Sequence, residues 1–569
     1  MSHRHLLPLV LVAGGLTWSF AEEAAKDIPK GTVTKFEFTQ SKIFPGTTRD
    51  VTVYVPKQYD GSTPACVYVN QDGMQWKAPE VFDRLIADKK MPVTIAIGIT
   101  PGRVKALNGE ALDRYNRSYE YDGLGDAYAR FLLDELLPYV EKEQNLKLSH
   151  EGNDRAIGGS SSGAVCAFTA AWERPDAFTR VFSVVGTYVG LRGANVYPTL
   201  IRKYEPKPLR VFLQDGSADQ NIYGGDWWMA NQEMERSLKF AGYEVDHVWG
   251  EDGHNGKQGT EVFPAAMTWL WKDWPKPVPA GQGSAQLKDI LLPGEGWQLV
   301  GEGYKFTEGP AVNAKGEVFF TDIPNSTIWK VGADGKPVEW MKETQKGNGL
   351  RFGPDGRAFL LAMDAKQVWA LDENAKSTVF AEGFKGNDIC VLKNGSLYAT
   401  EPGWDGVAPG KVWYISPTGE KKVVDETGLK FVNGVVTSPD QSLLYVNDSK
   451  THWVYSYQIQ PDGSLTQKQK YYHLHVPDSA EDAWPDGMRV DTAGRLYVAT
   501  RMGIQFCDQA GRVNGIIPTP NGKVSNLTFG GPDMDVIYAT CGDKVFKRKV
   551  KAKGYESMNA PVKPEKPHL

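Results

Sequence analysis

Arg155-Ala-Ile-Gly-Gly-Ser-Ser-Ser-Gly-Ala164 decides how the first half of the chain is read. It opens as a short apolar strand, passes through Gly159-Ser-Ser-Ser-Gly163 and runs into the apolar segment Ala164 to Trp172. The middle five residues fit Gly-x-Ser-x-Gly with Ser161 at the centre. A strand-to-helix turn that tight has no room for flanking side chains, and it leaves the central serine exposed above a sheet.

Working outward, apolar strand-like runs recur at Val51 to Val55, Ala65 to Val69, Val93 to Ile97, Val181 to Val185 and Leu209 to Leu213. Between them, Tyr128 to Glu141 places Phe131, Leu132, Leu136, Leu137 and Val140 at helical spacing. Strands alternating with helices from about Thr32 to Leu270 predict a mostly parallel sheet covered on both faces.

An exposed serine needs a base and an acid, expected downstream in the order serine, acid, histidine. His254 lies in the polar loop Trp249-Gly-Glu-Asp-Gly-His254, just past the strand-like Val245 to Trp249. Asp219, in Gln214-Asp-Gly-Ser-Ala-Asp219, is the first candidate for the acid, with Asp215 and Asp226 as rivals. Backbone N–H groups of Ser162 and of the loop near Gly73 and Met74 are expected to contact the substrate oxyanion. Arg117 to Asp122 is either a pocket wall or a salt-bridged loop.

This stretch, with its Gly158 to Gly163 elbow and Asp-Gly-His254, resembles the enterochelin-esterase and feruloyl-esterase branch of the α/β-hydrolases. The resemblance implies an α/β-hydrolase fold and a serine esterase acting on esters of sugars, phenolic acids or siderophores.

After a Pro- and Gly-rich stretch at 272–296 the helical signal vanishes. Short strands now recur between turns such as Gly353-Pro-Asp-Gly356 and Pro461-Asp-Gly463. Six units align on Glu308-Gly-Pro-Ala-Val, Asn348-Gly-Leu-Arg-Phe, Asn387-Asp-Ile-Cys-Val, Asn433-Gly-Val-Val-Thr, Asp486-Gly-Met-Arg-Val and Ser525-Asn-Leu-Thr-Phe, in steps of 40, 39, 46, 53 and 39 residues. Six units of about four strands predict a six-bladed β-propeller. The aligned positions Glu308, Asn348, Asn387, Asn433, Asp486 and Ser525 should then face one another across the axis. Their oxygen chemistry, with no Cys or His, suits a hard divalent cation such as Ca²⁺.

Phe306-Thr-Glu308-Gly-Pro, Gly386-Asn387-Asp388, Val432-Asn433-Gly and Trp484-Pro-Asp486-Gly-Met resemble the gluconolactonase, senescence-marker-protein and luciferin-regenerating-enzyme family. The resemblance implies that Glu308, Asn433 and Asp486 ligate the metal, with Ca²⁺ ahead of Zn²⁺, Mn²⁺ or Mg²⁺. It places Asn387, Asp388 and Asn348 on the substrate side and makes Asp486 or Asp388 the base that activates water in sugar-lactone opening. Lys385 stands where the family commonly carries arginine.

The expected layout is therefore a signal peptide at 1–21, an α/β-hydrolase domain at 22–271, a linker at 272–296, a propeller at 297–553 and a tail at 554–569. His3, Arg4 and His5 ahead of the apolar run Leu6 to Phe20 carry the signal reading and imply a secreted or periplasmic protein. At 569 residues the chain has room for two cores, and its 60 glycines and 17 tryptophans lean toward β-structure. A net charge of −5 offers no basic field for nucleic acid, and after signal removal no segment is long and apolar enough to span a bilayer. Cys66, Cys166, Cys390, Cys507 and Cys541 read as small core residues. The expected activity is a bifunctional hydrolase of carbohydrate-linked esters and sugar lactones. Its alternatives are a single active domain, with the propeller as a binding module or with only the propeller catalytic.

Overall fold

The structure, a computed structural model, describes residues 28–567. The expected signal at 1–21 lies outside the described residues. The first half is built on an eight-stranded sheet: β1 (Thr32–Phe38), β2 (Arg49–Val55), β3 (Cys66–Gln71), β4 (Thr94–Ile99), β5 (Arg155–Ser160), β6 (Arg180–Val184), β7 (Arg210–Gly216) and β8 (Glu244–Gly250). Their spatial order is β1-β2-β4-β3-β5-β6-β7-β8, with β2 antiparallel to both neighbours and the later pairings parallel. β3 and β4 are buried at every position, as strands covered on both faces must be, which explains their near-continuous apolar sequence. Cover comes from α1 (Ala78–Ala87), α2 (Ser162–Glu173), α3 (Tyr197–Lys203), α4 (Trp227–Phe240) and α5 (Lys257–Leu270). The helix expected at Tyr128 to Glu141 exists as one helical run, but its middle turn, Phe131–Leu136, is π-helical. The five cysteines are free and buried.

The second half is a β-propeller of antiparallel units whose burial falls from the axis outward. In the second unit the innermost strand Gly347–Phe352 is buried throughout, while the outermost, Ser377–Glu382, is largely exposed. A six-bladed propeller was expected; among the described residues the propeller strands form five sheets, and so five blades. The cause is the 15-residue strand β9 (Gln298–Val312), whose first half pairs with Val536–Lys549 at the end of the propeller and whose second half pairs with Val318–Asp322. The first and last repeat units thereby share one six-stranded sheet, which closes the circle by main-chain hydrogen bonds.

The stretch 272–296 is no loose tether. It carries a short helix, Ala285–Lys288, and buries Leu287 and Ile290 in a propeller core cluster. The tail is packed too: Gly554–Tyr555 pairs with Met488–Asp491, and Met558 is buried against the first two units. One apolar cluster runs across both halves, joining Tyr197, Ile201 and Tyr204 to Leu474, Cys507 and Ile516. Tyr204 bridges Ile516 by main-chain pairing, and Glu205 makes a bidentate pair with Arg548 at 2.7 and 2.8 Å. Among the described residues no helix is long and apolar enough to cross a membrane.

Candidate functional site

Ser161 sits at the end of β5 with φ 59° and ψ −122°, a conformation unfavourable for a side-chain-bearing residue and stored here by the turn. A Cβ on Gly159 would lie 2.5 Å from Gly163 main chain, so the elbow closes only with glycine there. The Ser161 hydroxyl lies 2.9 Å from His254 Nε2, and His254 Nδ1 lies 2.7 Å from Asp219 Oδ1. Asp219 Oδ1 also accepts the Gln220 N–H at 2.6 Å. Burial alone would raise the Asp219 carboxyl, but hydrogen bonds with His254 and Asp215 and from the Gln220 N–H hold it below the usual carboxylate range. Its neighbour Asp215 is pushed up to about 9, first by burial and then by the hydrogen bond and charge of Asp219, so the pair carries one proton at neutral pH. Asp215 is held by the Gly216 N–H at 2.7 Å and the Asn231 amide at 2.8 Å. Asp226, the third rival, caps α4 by accepting the Met229 N–H at 3.0 Å.

Two neighbours of the serine escaped the sequence reading. Thr187 Oγ1 lies 3.1 Å from Ser161 Oγ and accepts the Trp227 indole N–H at 3.2 Å, while the Trp227 ring stands edge-on to His254. The Asp-Trp-Trp run at the start of α4 was the available signal. Of the expected oxyanion donors, Gly73 spends its N–H on Ile99 O at 2.9 Å, which leaves Met74. Ser162 opens α2, where N–H groups have no intrahelical acceptor. Arg117 makes a bidentate pair with Asp72 at 2.8 Å beside the elbow, and Glu120 is buried against Arg49. The 117–122 segment is therefore ion-paired.

In the propeller, Glu308, Asn348, Asn387, Asn433, Asp486 and Ser525 are all buried despite their polarity. Their placement follows from hydrogen bonds between units, donated by the Thr321 and Thr400 hydroxyls, the Asn447 amide and the Gly349 and Gly487 N–H groups. The carbonyls of Asn348, Asn387, Asn433, Asp486 and Ser525 each accept from the adjacent unit, at 3.1, 2.9, 2.6, 2.5 and 2.8 Å. This fixes the backbone at each position. Ser525 departs from the expected ring, because its hydroxyl is spent on Thr307 O and Thr540. Asp388 lies one residue deeper, accepting the Ile389 N–H at 2.8 Å beside the buried Arg351 at 3.7 Å. Arg489, also buried, is a second cation beneath the ring that sequence reasoning missed.

Glu308 is pushed up to about 7, mainly by burial and further by the Asp388 charge, against the opposing Gly309 N–H and Asn526 amide. Asp486 is raised well above the carboxylate range by burial and by the charges of Glu308 and Asp388, with Asn433 opposing. Asn348 Oδ1 is buried with no hydrogen-bond partner. Two mutually repelling buried carboxylates and an unsatisfied amide oxygen form a donor set that a hard divalent cation fits. Among the described residues no group of three or more His, Cys, Asp and Glu is placed to hold a metal, so such a site would depend on the amide oxygens.

Two family models match the chain. Residues 41–270 match the family described as "Putative esterase", and residues 306–542 match the SMP-30/Gluconolactonase/LRE-like region. A gluconolactonase of Zymomonas mobilis is 25% identical over 285 residues, covering 43% of this chain and 79% of the relative. Pentonolactonase XacC of Haloferax volcanii is 24% identical over 250 residues, covering 43% of this chain and 84% of the relative. The solved enterobactin esterase FES of Shigella flexneri aligns with a TM-score of 0.34 and 18% identity, over 43% of this chain and 62% of that one. By the two family models and the gluconolactonase relative the chain is a hydrolase of the esterase and lactonase kind.

Proposed function

We propose, for a chain that carries an esterase-family domain ahead of an SMP-30/gluconolactonase/LRE-like domain, a bifunctional hydrolase with a serine esterase at 22–271 and a metal-dependent sugar lactonase at 297–553. The observation that carries the esterase reading is the continuous relay from Ser161 Oγ through His254 to Asp219. We read the sheet order, with β2 reversed, as an α/β-hydrolase fold. As Ser161 Oγ attacks the ester carbonyl, its proton passes to His254 Nε2, and Asp219 stabilises the imidazolium. The N–H groups of Ser162 and Met74 receive the oxyanion. The leaving alcohol takes the proton from Nε2, and water releases the acid by the same route in reverse. Thr187, held by Trp227, orients the serine hydroxyl.

In the propeller, Glu308, Asn433 and Asp486 would hold a divalent cation, Ca²⁺ by the hardness of the oxygen set, and such an ion polarises a lactone carbonyl when bound. Asp388 is pinned below the ring, so Asp486 is the carboxylate placed to take a proton from water, with Asn387 and Asn348 orienting the sugar. Export follows from the Leu6 to Phe20 run and would be tested by the N-terminal sequence of the mature protein.

The test is hydrolysis of a short-chain aryl ester and of gluconolactone by wild type, Ser161→Ala and Asp486→Asn, with and without EDTA. Ser161→Ala should remove only ester turnover, while Asp486→Asn or EDTA should remove only lactone turnover. Loss of both activities in Ser161→Ala would reduce the propeller to a binding module.

A further inference from the structure

The residues two positions ahead of the buried ring form a second, outer set: Phe306, Lys346, Lys385, Phe431, Trp484 and Lys523. Three units supply an aromatic ring and three a lysine. Phe306 is 42% exposed, and the neighbouring Trp404 is 40% exposed. Trp404, Phe431 and Trp484 follow one another around the mouth with ring centroids 5.5 and 6.1 Å apart. Cations lie over this arc, with Lys385 Nζ 4.7 Å from the Trp404 centroid, Lys450 Nζ 4.5 Å and Arg501 5.0 Å from that of Trp484.

Lys346 is paired with Asp364 and Arg501 with Asp482. Among the described residues Lys385, Lys450 and Lys523 have no carboxylate partner. Phe306, Trp484, Arg501 and Lys523 line the same cleft, about 1430 Å³, as the ring member Asp486, and the opposite wall belongs to the esterase half. An exposed ring such as Phe306 can pack against the flat side of a ring-shaped ligand, and the unpaired cations beside the aromatic arc select negative charge.

We propose that this mouth selects a sugar lactone that carries a second, ionised carboxylate away from the lactone carbonyl. The proposal rests on the lactonase reading of the propeller and names its substrate class. Water adds its oxygen to the lactone carbon, the ring C–O bond breaks, and the ring oxygen takes up a proton. The product is a sugar dicarboxylate whose distal carboxylate stays on the rim lysines.

The experiment compares kcat/KM for gluconolactone, which is neutral, and for glucarolactone, which keeps a free carboxylate, in wild type and in Lys450→Met with Lys523→Met. Glucarolactone should be the better substrate at low ionic strength, and its advantage should fall with added salt. Each lysine removed should raise its KM about two- to fivefold, the range for solvent-exposed charge pairs, and leave gluconolactone turnover unchanged. Calorimetric binding of glucarate against gluconate reads the rim without catalysis. If lactones are turned over but the charged one gains nothing and the variants change nothing, the proposal is overturned while the lactonase reading stands. If no lactone is turned over yet glucarate binds more tightly and loses that margin in the variants, the rim stands and the lactonase reading falls.

Discussion

Replacing Asp219 by asparagine separates charge from geometry at the relay. Asp219 Oδ1 accepts two hydrogen bonds, from His254 Nδ1 at 2.7 Å and from the Gln220 N–H at 2.6 Å. Its Oδ2 is buried with no partner but the carboxyl of Asp215. An asparagine that turned its NH₂ toward His254 would set that donor against the Gln220 N–H, leaving a buried donor unsatisfied at about 1–3 kcal/mol. The amide oxygen is therefore expected to keep the Oδ1 position, and the NH₂ to take the Oδ2 position, where Asp215 accepts. His254 would then keep its proton on Nδ1 and stay able to receive the serine proton at Nε2. Only the carboxylate charge is lost, and a hydrogen bond to a charged group contributes about 1.5–3 kcal/mol, or roughly ten- to 150-fold in rate. A wrong imidazole tautomer costs about 10⁴-fold. The assay is kcat and kcat/KM for an aryl ester in wild type, Asp219→Asn and Asp219→Ala. A loss near 10⁴-fold in Asp219→Asn, equal to that in Asp219→Ala, would refute the pinning of the amide by Gln220.

Asp215→Asn should change how stability depends on pH. Asp215 is raised from the ordinary 3.8 to about 9, so across that window the folded protein holds a proton that the unfolded chain has lost, and stability declines as pH rises. Thermal unfolding of Asp215→Asn should show a shallower decline over the same window; equal slopes would count against the shared-proton pair. Leu287→Ala, within the Pro- and Gly-rich stretch between the halves, should cost about 2–5 kcal/mol in denaturant unfolding because the side chain is only 2% exposed in a propeller cluster. A neutral result would restore the view of that stretch as a passive linker.

The elbow was legible because its demands are local. Glycines at 159 and 163 and a serine at positive φ are properties of five consecutive residues, and the strand before them and helix after them have their own periodicity. The choice among Asp215, Asp219 and Asp226 was not, since all three lie at or just past the end of the same strand. Contacts far along the chain separate them: Asp219 meets His254, Asp215 meets Asn231, and Asp226 is consumed as a helix cap. The repeat units could be read from turn spacing, but not the fusion of the first and last into one sheet, because β9 pairs with residues some 240 positions away. The π-helical turn at Phe131–Leu136 keeps apolar side chains at spacings an α-helix would also use, so periodicity does not report it. Composition marks 272–296 as a linker by its prolines and glycines, but it does not report that Val278, Leu287 and Ile290 within it are buried.

The way the halves are joined bears on how the two proposed activities relate. Shared apolar packing, the Tyr204–Ile516 pairing, the Glu205–Arg548 pair and the Arg192–Asp478 contact at 3.1 Å hold the domains in one arrangement. In that arrangement the esterase half walls the cleft onto which the propeller mouth opens. Among the described residues the lining of that cleft includes Asp486 but not Ser161, His254 or Asp219. The esterase half contributes Trp172, Tyr204 and Lys207 to the lining of that cleft. Disabling Ser161 should thus leave lactone kinetics intact, whereas loosening the interface at Glu205 or Arg548 should disturb lactone binding while the serine keeps its activity.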